Sequence, residues 1–167
     1  MGLESTDLTV NSDGTAKFSI NIVGSATMQT YFGNFKCKCS LNAIEYIKSN
    51  KEFIEEVGAD ANFGEPEEIA FALIQLKYRL LAWAPFWTTG DDVSLNGGHL
   101  KDYNVITHIF NICMKAEEEY KDMMKKEYNR VKDKVAEQRD QIIKQRAEKD
   151  LEKKEETVEK EDVNLPE

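Results

Sequence analysis

The most reactive side chains in this sequence are three cysteines and two histidines. Cys37 and Cys39 lie two residues apart, while Cys113, His99 and His108 are scattered along the rest of the chain. A structural zinc site needs four ligands at a recognised spacing, and neither C-x-C nor the scattered residues provide one. The spacing therefore favours buried free thiols over a metal site. We expect no metal and no other cofactor.

Residues for acid–base catalysis are present, but they do not form a recognised pattern. His99 follows Asp91 and Asp92 in a Gly-rich loop, which brings together an imidazole and two carboxylates. No G-x-S-x-G nucleophile turn, phosphate-binding glycine loop or calcium-loop spacing accompanies them. His108 falls in an amphipathic segment, where a structural role is the simpler interpretation. The sequence predicts no catalytic residue and a non-enzymatic protein.

Composition narrows the classes of partner. The chain has 167 residues, a formal net charge of -9 and a pI of about 4.9. An acidic chain is a poor ligand for phosphate backbones, so we expect no nucleic acid as a partner. No stretch is typical of a transmembrane helix or a signal peptide, which predicts no membrane partner and, with three cysteines, a reducing compartment.

Alternating apolar residues predict β-structure in the first forty residues. Phe18, Ile20 and Ile22 alternate with polar residues, and an N-S-D-G-T turn precedes them. A further segment, residues 29–39, places Phe35 and Cys37 on one face and lysines on the other. These patterns predict a small antiparallel sheet with one apolar face that must be covered.

Residues 69–87 predict a buried central helix that covers the sheet. Their apolar residues recur every three or four positions on nearly every side, as in a helix with neighbours on several flanks. Pro66 suits the first turn, and Pro85 predicts an end near Trp83. An earlier helix, with Ser40 as N-cap and an apolar stripe that includes Ile44, should end at Gly58.

The C-terminal third predicts a long charged helix with Asp102 as its cap. Residues 1–120 are expected to form the α+β core domain, and residues 121–167 a charged helical extension that frays after about residue 151. The extension has few apolar residues, but they are regularly spaced. They form a narrow seam of Tyr120, Met124, Tyr128, Val131, Val135 and Ile142. Such a seam predicts helical contact with another chain, although its spacing drifts between Tyr120 and Tyr128.

The W-A-P-F-W segment has two interpretations. Trp83 is expected in the core. Phe86 and Trp87 follow Pro85. They form either a lid over the sheet or an exposed aromatic anchor for another protein. They are therefore candidate interface residues together with the seam.

Two segments, YFGNFKCK before a helix and AFALIQLKYRLLAWAPFW before a charged C-terminal helix, carry a family resemblance. Over about residues 30–126, this order resembles small structural or assembly proteins of tailed bacteriophages. The resemblance implies a non-enzymatic protein that acts through repeated protein–protein contacts. It fits a virion component as well as a tail-assembly chaperone.

Together, these patterns predict an α+β fold in which a small antiparallel sheet packs on two or three helices and a long charged helix follows. The expected function is structural, in a large assembly such as a tailed-phage particle. An assembly chaperone that is not retained is the alternative, and an enzyme is the third hypothesis. The expected partners are other subunits of the assembly, including copies of this chain, in the virion or in the host cytoplasm during assembly.

Overall fold

A four-stranded antiparallel sheet forms the N-terminal part of the protein. The computed structural model describes residues 7–59, 63–88 and 97–162, with side chains as far as Leu151. The strands follow one another in space in the order β1-β2-β3-β4. They are β1 (Thr9–Val10), β2 (Thr15–Val23), β3 (Thr30–Lys38) and β4 (Leu80–Ala82).

Among the described residues, three α-helices complete the predicted α+β fold. They are α1 (Ala43–Val57), α2 (Glu65–Arg79) and α3 (Tyr103–Asp162), and a short 3-10 turn spans Pro85–Trp87. The chain divides into two compact units, Met1–Met123 and Met124–Glu167. The first unit holds the sheet, α1, α2 and the beginning of α3. The second consists of the rest of α3 and the residues after it.

The pairing of β2 with β3 confirms the alternation predicted from the sequence. Phe18 lies opposite Phe35, with stacked rings whose centroids are 5.4 Å apart. Ala16 lies opposite Cys37, and both are fully buried. Apolar residues at every second position thus form one buried face, as a half-buried strand requires.

The predicted end of the central helix near Trp83 is wrong. α2 ends at Arg79, and the next residues form β4, where Leu80 pairs with Cys37. Pairing with β3 provides backbone hydrogen-bond partners for an otherwise open strand edge, and this outweighs continuation of the helix. Trp83 consequently lies outside the core and is 40% exposed.

The apolar face of the sheet is covered by two helices rather than by α2 alone. Leu76 on α2 is fully buried, as its place in the apolar stripe predicts. α3 contributes more buried apolar residues to the core than α2 does. Its buried apolar residues are Val105, Ile106, Ile109, Ile112, Cys113 and Ala116.

The N-cap of α1 and the side of the helix that is buried both differ from the sequence prediction. Asn42, not Ser40, is the N-cap. Its side chain accepts a hydrogen bond from Glu45 N (2.9 Å), and the Glu45 carboxylate accepts one from Asn42 N (3.1 Å). This reciprocal pair satisfies two free N–H groups of the first turn.

The apolar stripe of α1 faces solvent, whereas other residues of the helix pack on α2. Ile44, Ile47 and Ile54 are exposed. Contact with α2 is instead made by Phe53, whose ring lies edge-on to that of Phe71 at 5.4 Å. The sequence period predicts the helix correctly but does not identify its buried side.

Candidate protein-interaction site

The predicted aromatic anchor is part of the core. Trp87 is 1% exposed and therefore presents no surface to a partner. Phe86 is half-buried, and its ring packs edge-on against Tyr31 and Phe35 at centroid distances of 5.1 and 5.9 Å. Gly97 lies against the Trp87 indole, where a β-carbon would be 2.5 Å from the ring. The placement of this pair matches the lid interpretation.

Tyr120, the first residue of the predicted seam, also packs on the core. It is half-buried. Its hydroxyl lies beside Gly14, in the turn between β1 and β2. Tyr120 therefore belongs to the first compact unit and not to the exposed part of α3.

The other predicted interface residues of α3 are exposed and share one spacing. We call Met124, Tyr128, Val131, Val135 and Ile142 the apolar seam. Their exposed fractions run from 44% at Met124 to 67% at Tyr128. Successive members are four, three, four and seven residues apart, which keeps them on one side of a helix in a heptad pattern. Every described side chain of residues 124–151 is exposed.

The apolar seam keeps a heptad spacing although its residues are exposed. The side chains of the seam are 44–67% exposed, so about half of their surface remains open to solvent. A helix with so few apolar residues is marginal by itself, and a partner helix would bury the seam. The seam is therefore the candidate interaction site.

The cysteines are buried in the first unit as free thiols. Cys37, Cys39 and Cys113 are each fully buried. Burial raises the pKa of the Cys39 thiol to about 11, which keeps it protonated and weakly nucleophilic. A hydrogen bond with Cys37, together with burial, raises the pKa of Cys113 as well. Within the described ranges, no three ligating side chains come together as a metal site would require.

The histidines occupy separate positions. His99 is exposed, and its Nε2 lies 3.0 Å from the carbonyl oxygen of Phe86. His108 is half-buried on α3. Asp91 and Asp92, considered with His99 in the sequence, lie outside the described residues.

Asp102 forms a polar centre that the sequence does not reveal. Its carboxylate is fully buried and accepts hydrogen bonds from Ala26 N (2.6 Å), Thr27 N (2.9 Å), Thr27 Oγ1 (2.5 Å) and Tyr31 OH (2.7 Å). Burial alone would raise its pKa, but the hydrogen bonds from Thr27 and Tyr31 outweigh burial and lower the pKa to about 2. Gly24 makes room for the group, because a β-carbon there would lie 2.2 Å from Asp102 Cγ.

This centre ties the β2–β3 turn to the start of α3. Asp102 does precede the first residue of α3, as the sequence predicts for a cap, and its carbonyl oxygen accepts from Val105 N at 2.9 Å. Its side chain, however, is committed to the turn rather than to the helix. Asn104 reinforces the connection, since its Nδ2 donates to Val23 O (3.0 Å) and its Oδ1 accepts from Ser25 N (2.9 Å). The arrangement is an anchor between elements.

A second polar anchor joins α2 to α3. Arg79 is 5% exposed, donates through Nη2 to Glu117 Oε2 (2.7 Å) and through Nη1 to the Cys39 carbonyl (3.3 Å). Burial would raise the pKa of Glu117, but Lys121 and Arg79 outweigh it and lower the pKa below its usual range. A cavity of about 300 Å³ lies beside the pair. Its polar walls include Gln75, which donates to Ser49 Oγ (3.1 Å).

No protein-family model, curated protein or solved structure matches this chain. Among the described residues, no helix is both long enough and apolar enough to cross a membrane.

Proposed function

We propose that this protein is a non-enzymatic structural subunit or accessory protein of a large assembly, and that it acts through protein–protein contacts made by the apolar seam. One observation carries the proposal. The seam is exposed along its whole length, although its residues keep the heptad spacing of a helix–helix interface.

The physical chemistry of the seam supports this proposal. Fully burying an aliphatic or methionine side chain contributes about 1.5–3 kcal/mol. Val131, Val135 and Ile142 are each about half exposed, so a partner helix can still remove much of their surface from water. A helix pair uses two apolar positions per heptad. The seam fills both positions from Met124 to Val135, and then only one of them at Ile142, because Gln138 occupies the other.

The kind of assembly is proposed from the sequence resemblance. The strand-and-helix segments that resemble tailed-phage structural proteins lie in the first unit, and a charged helix follows them. We therefore propose a tailed-phage particle as the assembly, with the protein in the virion or in the host cytoplasm during assembly. An assembly chaperone is the alternative, in which the seam holds an aggregation-prone subunit until it is incorporated.

Charged substitutions in the seam test the proposal. Val131→Asp with Val135→Asp should abolish partner binding, because each places a carboxylate in an interface that must exclude water. The matched control, Asn129→Asp with Ala136→Asp, adds two aspartates at exposed positions on the side of α3 away from the seam. The measurement is incorporation of each full-length variant into the assembly during production in the host.

The proposal requires loss of incorporation for the seam variant and retention for the control. Equal incorporation of both variants would refute a role for the seam. Analysis of purified particles then separates the two functions. A virion component remains in the mature particle, whereas a chaperone is found only in assembly intermediates.

A further inference from the structure

The residues beside the apolar seam indicate the chemistry of its partner. We infer that the seam binds an α-helix of another protein whose own apolar seam is flanked by Asp and Glu. This inference rests on the proposed function and adds the charge of the partner.

One flank of the seam is a row of cations, which we call the basic row. It consists of Lys125, Lys132, Arg139 and Arg146. These residues are seven positions apart and all exposed, so they follow the same side of the seam for three heptads. The row is a local exception in a chain whose formal net charge is -9.

The opposite flank has no such uniformity. Glu127, Lys134, Gln141 and Glu148 occupy the equivalent heptad positions there. Glu127 pairs with Arg130 at 2.6 Å, on the outer surface of the helix. Within the described residues, no member of the basic row takes part in an ion pair. The charges of the row remain available to a partner.

A second copy of this chain does not complement the row. In an antiparallel pair, equivalent flanks face each other, so the basic row would meet another basic row along the whole interface. In a parallel pair, each residue of the Glu127 flank faces the basic-row residue of the other chain that lies five positions further on. Glu127 would then face Lys132 of the second copy favourably, but Lys134 would face Arg139 unfavourably. Like charges at such positions select against pairing.

A different helix with acidic residues along its flank would avoid this repulsion between like charges. Each carboxylate opposite a residue of the basic row would form an exposed ion pair. One such pair contributes little to the binding free energy, but several of them would lie along the interface. Charges flanking an apolar seam set partner choice and register more than affinity. The seam has at most two apolar positions per heptad, which suits a helix partner better than a lipid surface, where a broad apolar face is needed.

The test uses the full-length protein and two designed helical peptides. Both peptides carry the same heptad seam of Leu and Val, and they differ only in having Glu or Lys at the flanking positions. Fluorescence anisotropy should show that the Glu peptide binds about tenfold or more tightly than the Lys peptide at low salt. The preference should shrink in about 1 M salt, because the Debye length falls to about 3 Å.

Charge reversal within the basic row provides the matched variants. Lys132→Glu with Arg139→Glu leaves two cations and two anions in the row and should therefore abolish the preference for the Glu peptide. The control, Lys126→Glu with Lys144→Glu, makes the same change in net charge at exposed positions away from the seam. It should leave the preference for the Glu peptide in place.

Several outcomes overturn the inference while leaving the proposed function intact. Equal binding of both peptides, or binding of neither by a protein that still enters its assembly through the seam, removes the requirement for acidic flanks. A dimer in sedimentation equilibrium that Val131→Asp dissociates would make a second copy the occupant. Preferential binding to vesicles of anionic lipid would make a membrane surface the occupant. Failure of the proposed function shows itself differently, as undiminished incorporation of the seam variant.

Discussion

The two parts of α3 use similar apolar spacing with opposite results. In residues 103–120, apolar side chains recur every three or four positions and become core, as at Ile109, which is fully buried. In residues 124–151, the seam recurs at intervals of four, three, four and seven residues, yet Ile142 remains 51% exposed. The difference lies in width. The first part presents a broad apolar face to a sheet that must be covered, whereas the second has only a narrow line.

The two parts of α3 show that helix formation and burial are separate properties, although one apolar pattern in the sequence suggests both. Period determines whether a segment is helical, while the width of the apolar face and the presence of an uncovered surface determine where it is buried. The ion pairs made by the two parts of α3 differ in burial in the same way. Glu117 and Arg79 pair in the interior, whereas Glu127 and Arg130 pair at the surface.

Truncating one isoleucine in each part should give the largest contrast in stability. Ile109→Ala removes a fully buried side chain and should lower the free energy of unfolding by about 2–5 kcal/mol. Ile142→Ala, at a half-exposed position, should change it by less than about 0.5 kcal/mol. Chemical denaturation of both variants measures the difference. Similar losses at the two positions would show that the seam is buried in the isolated protein.

A second contrast, between the natural protein and an Asp102→Asn variant, concerns how stability changes at acidic pH. The pKa of Asp102 is lowered to about 2 from an ordinary 3.8, so its ionised form stabilises the folded state above about pH 4. That contribution is lost as the pH falls towards 2. Asp102→Asn should be less stable than the natural protein at neutral pH, and its stability should fall less steeply between about pH 4.5 and 2.

Denaturation midpoints measured across that pH range test the prediction. Every other carboxylate is common to both proteins, so the difference between the two curves reports Asp102 alone. A gap that stays constant down to pH 2 would mean that the carboxylate has an ordinary pKa in the folded protein.

The smallest contrast concerns the two glutamates. Glu117→Gln weakens the buried pair with Arg79 and should cost about 1–2 kcal/mol, because the guanidinium keeps its burial but loses its counter-charge. Glu127→Gln removes an exposed pair, and its effect should lie within the error of the same denaturation experiment. A larger loss at Glu127 than at Glu117 would reverse the comparison.

The sequence predicts the fold class and the first three strands well because both follow from local period. Phe18 and Phe35 are buried as the alternation requires. The end of α2 is harder to predict, since the three residues after Arg79 join β3, which lies about forty positions earlier in the chain. Local apolar character at Leu80 fits a helix and a strand equally well.

The polar centres are harder to predict for the same physical reason. The donors to Asp102 come from Ala26, Thr27 and Tyr31, more than seventy positions away. At the sequence level, an Asp before a helix indicates a cap and nothing more. The seam from Met124 to Ile142, by contrast, is visible in the sequence, since its spacing is local. Phe86, Trp87 and Tyr120 resemble interface residues by type, but tertiary packing places them in or against the core.

The two edges of the sheet have a consequence for solubility. β1 contributes two residues to one edge, and β4 contributes three to the other, with a register shift where β4 meets β3. Short and irregular edges offer few free N–H and C=O groups in line, so they are poor templates for strand addition. At the high concentrations reached during overproduction, strand addition onto β1 or β4 themselves is therefore disfavoured.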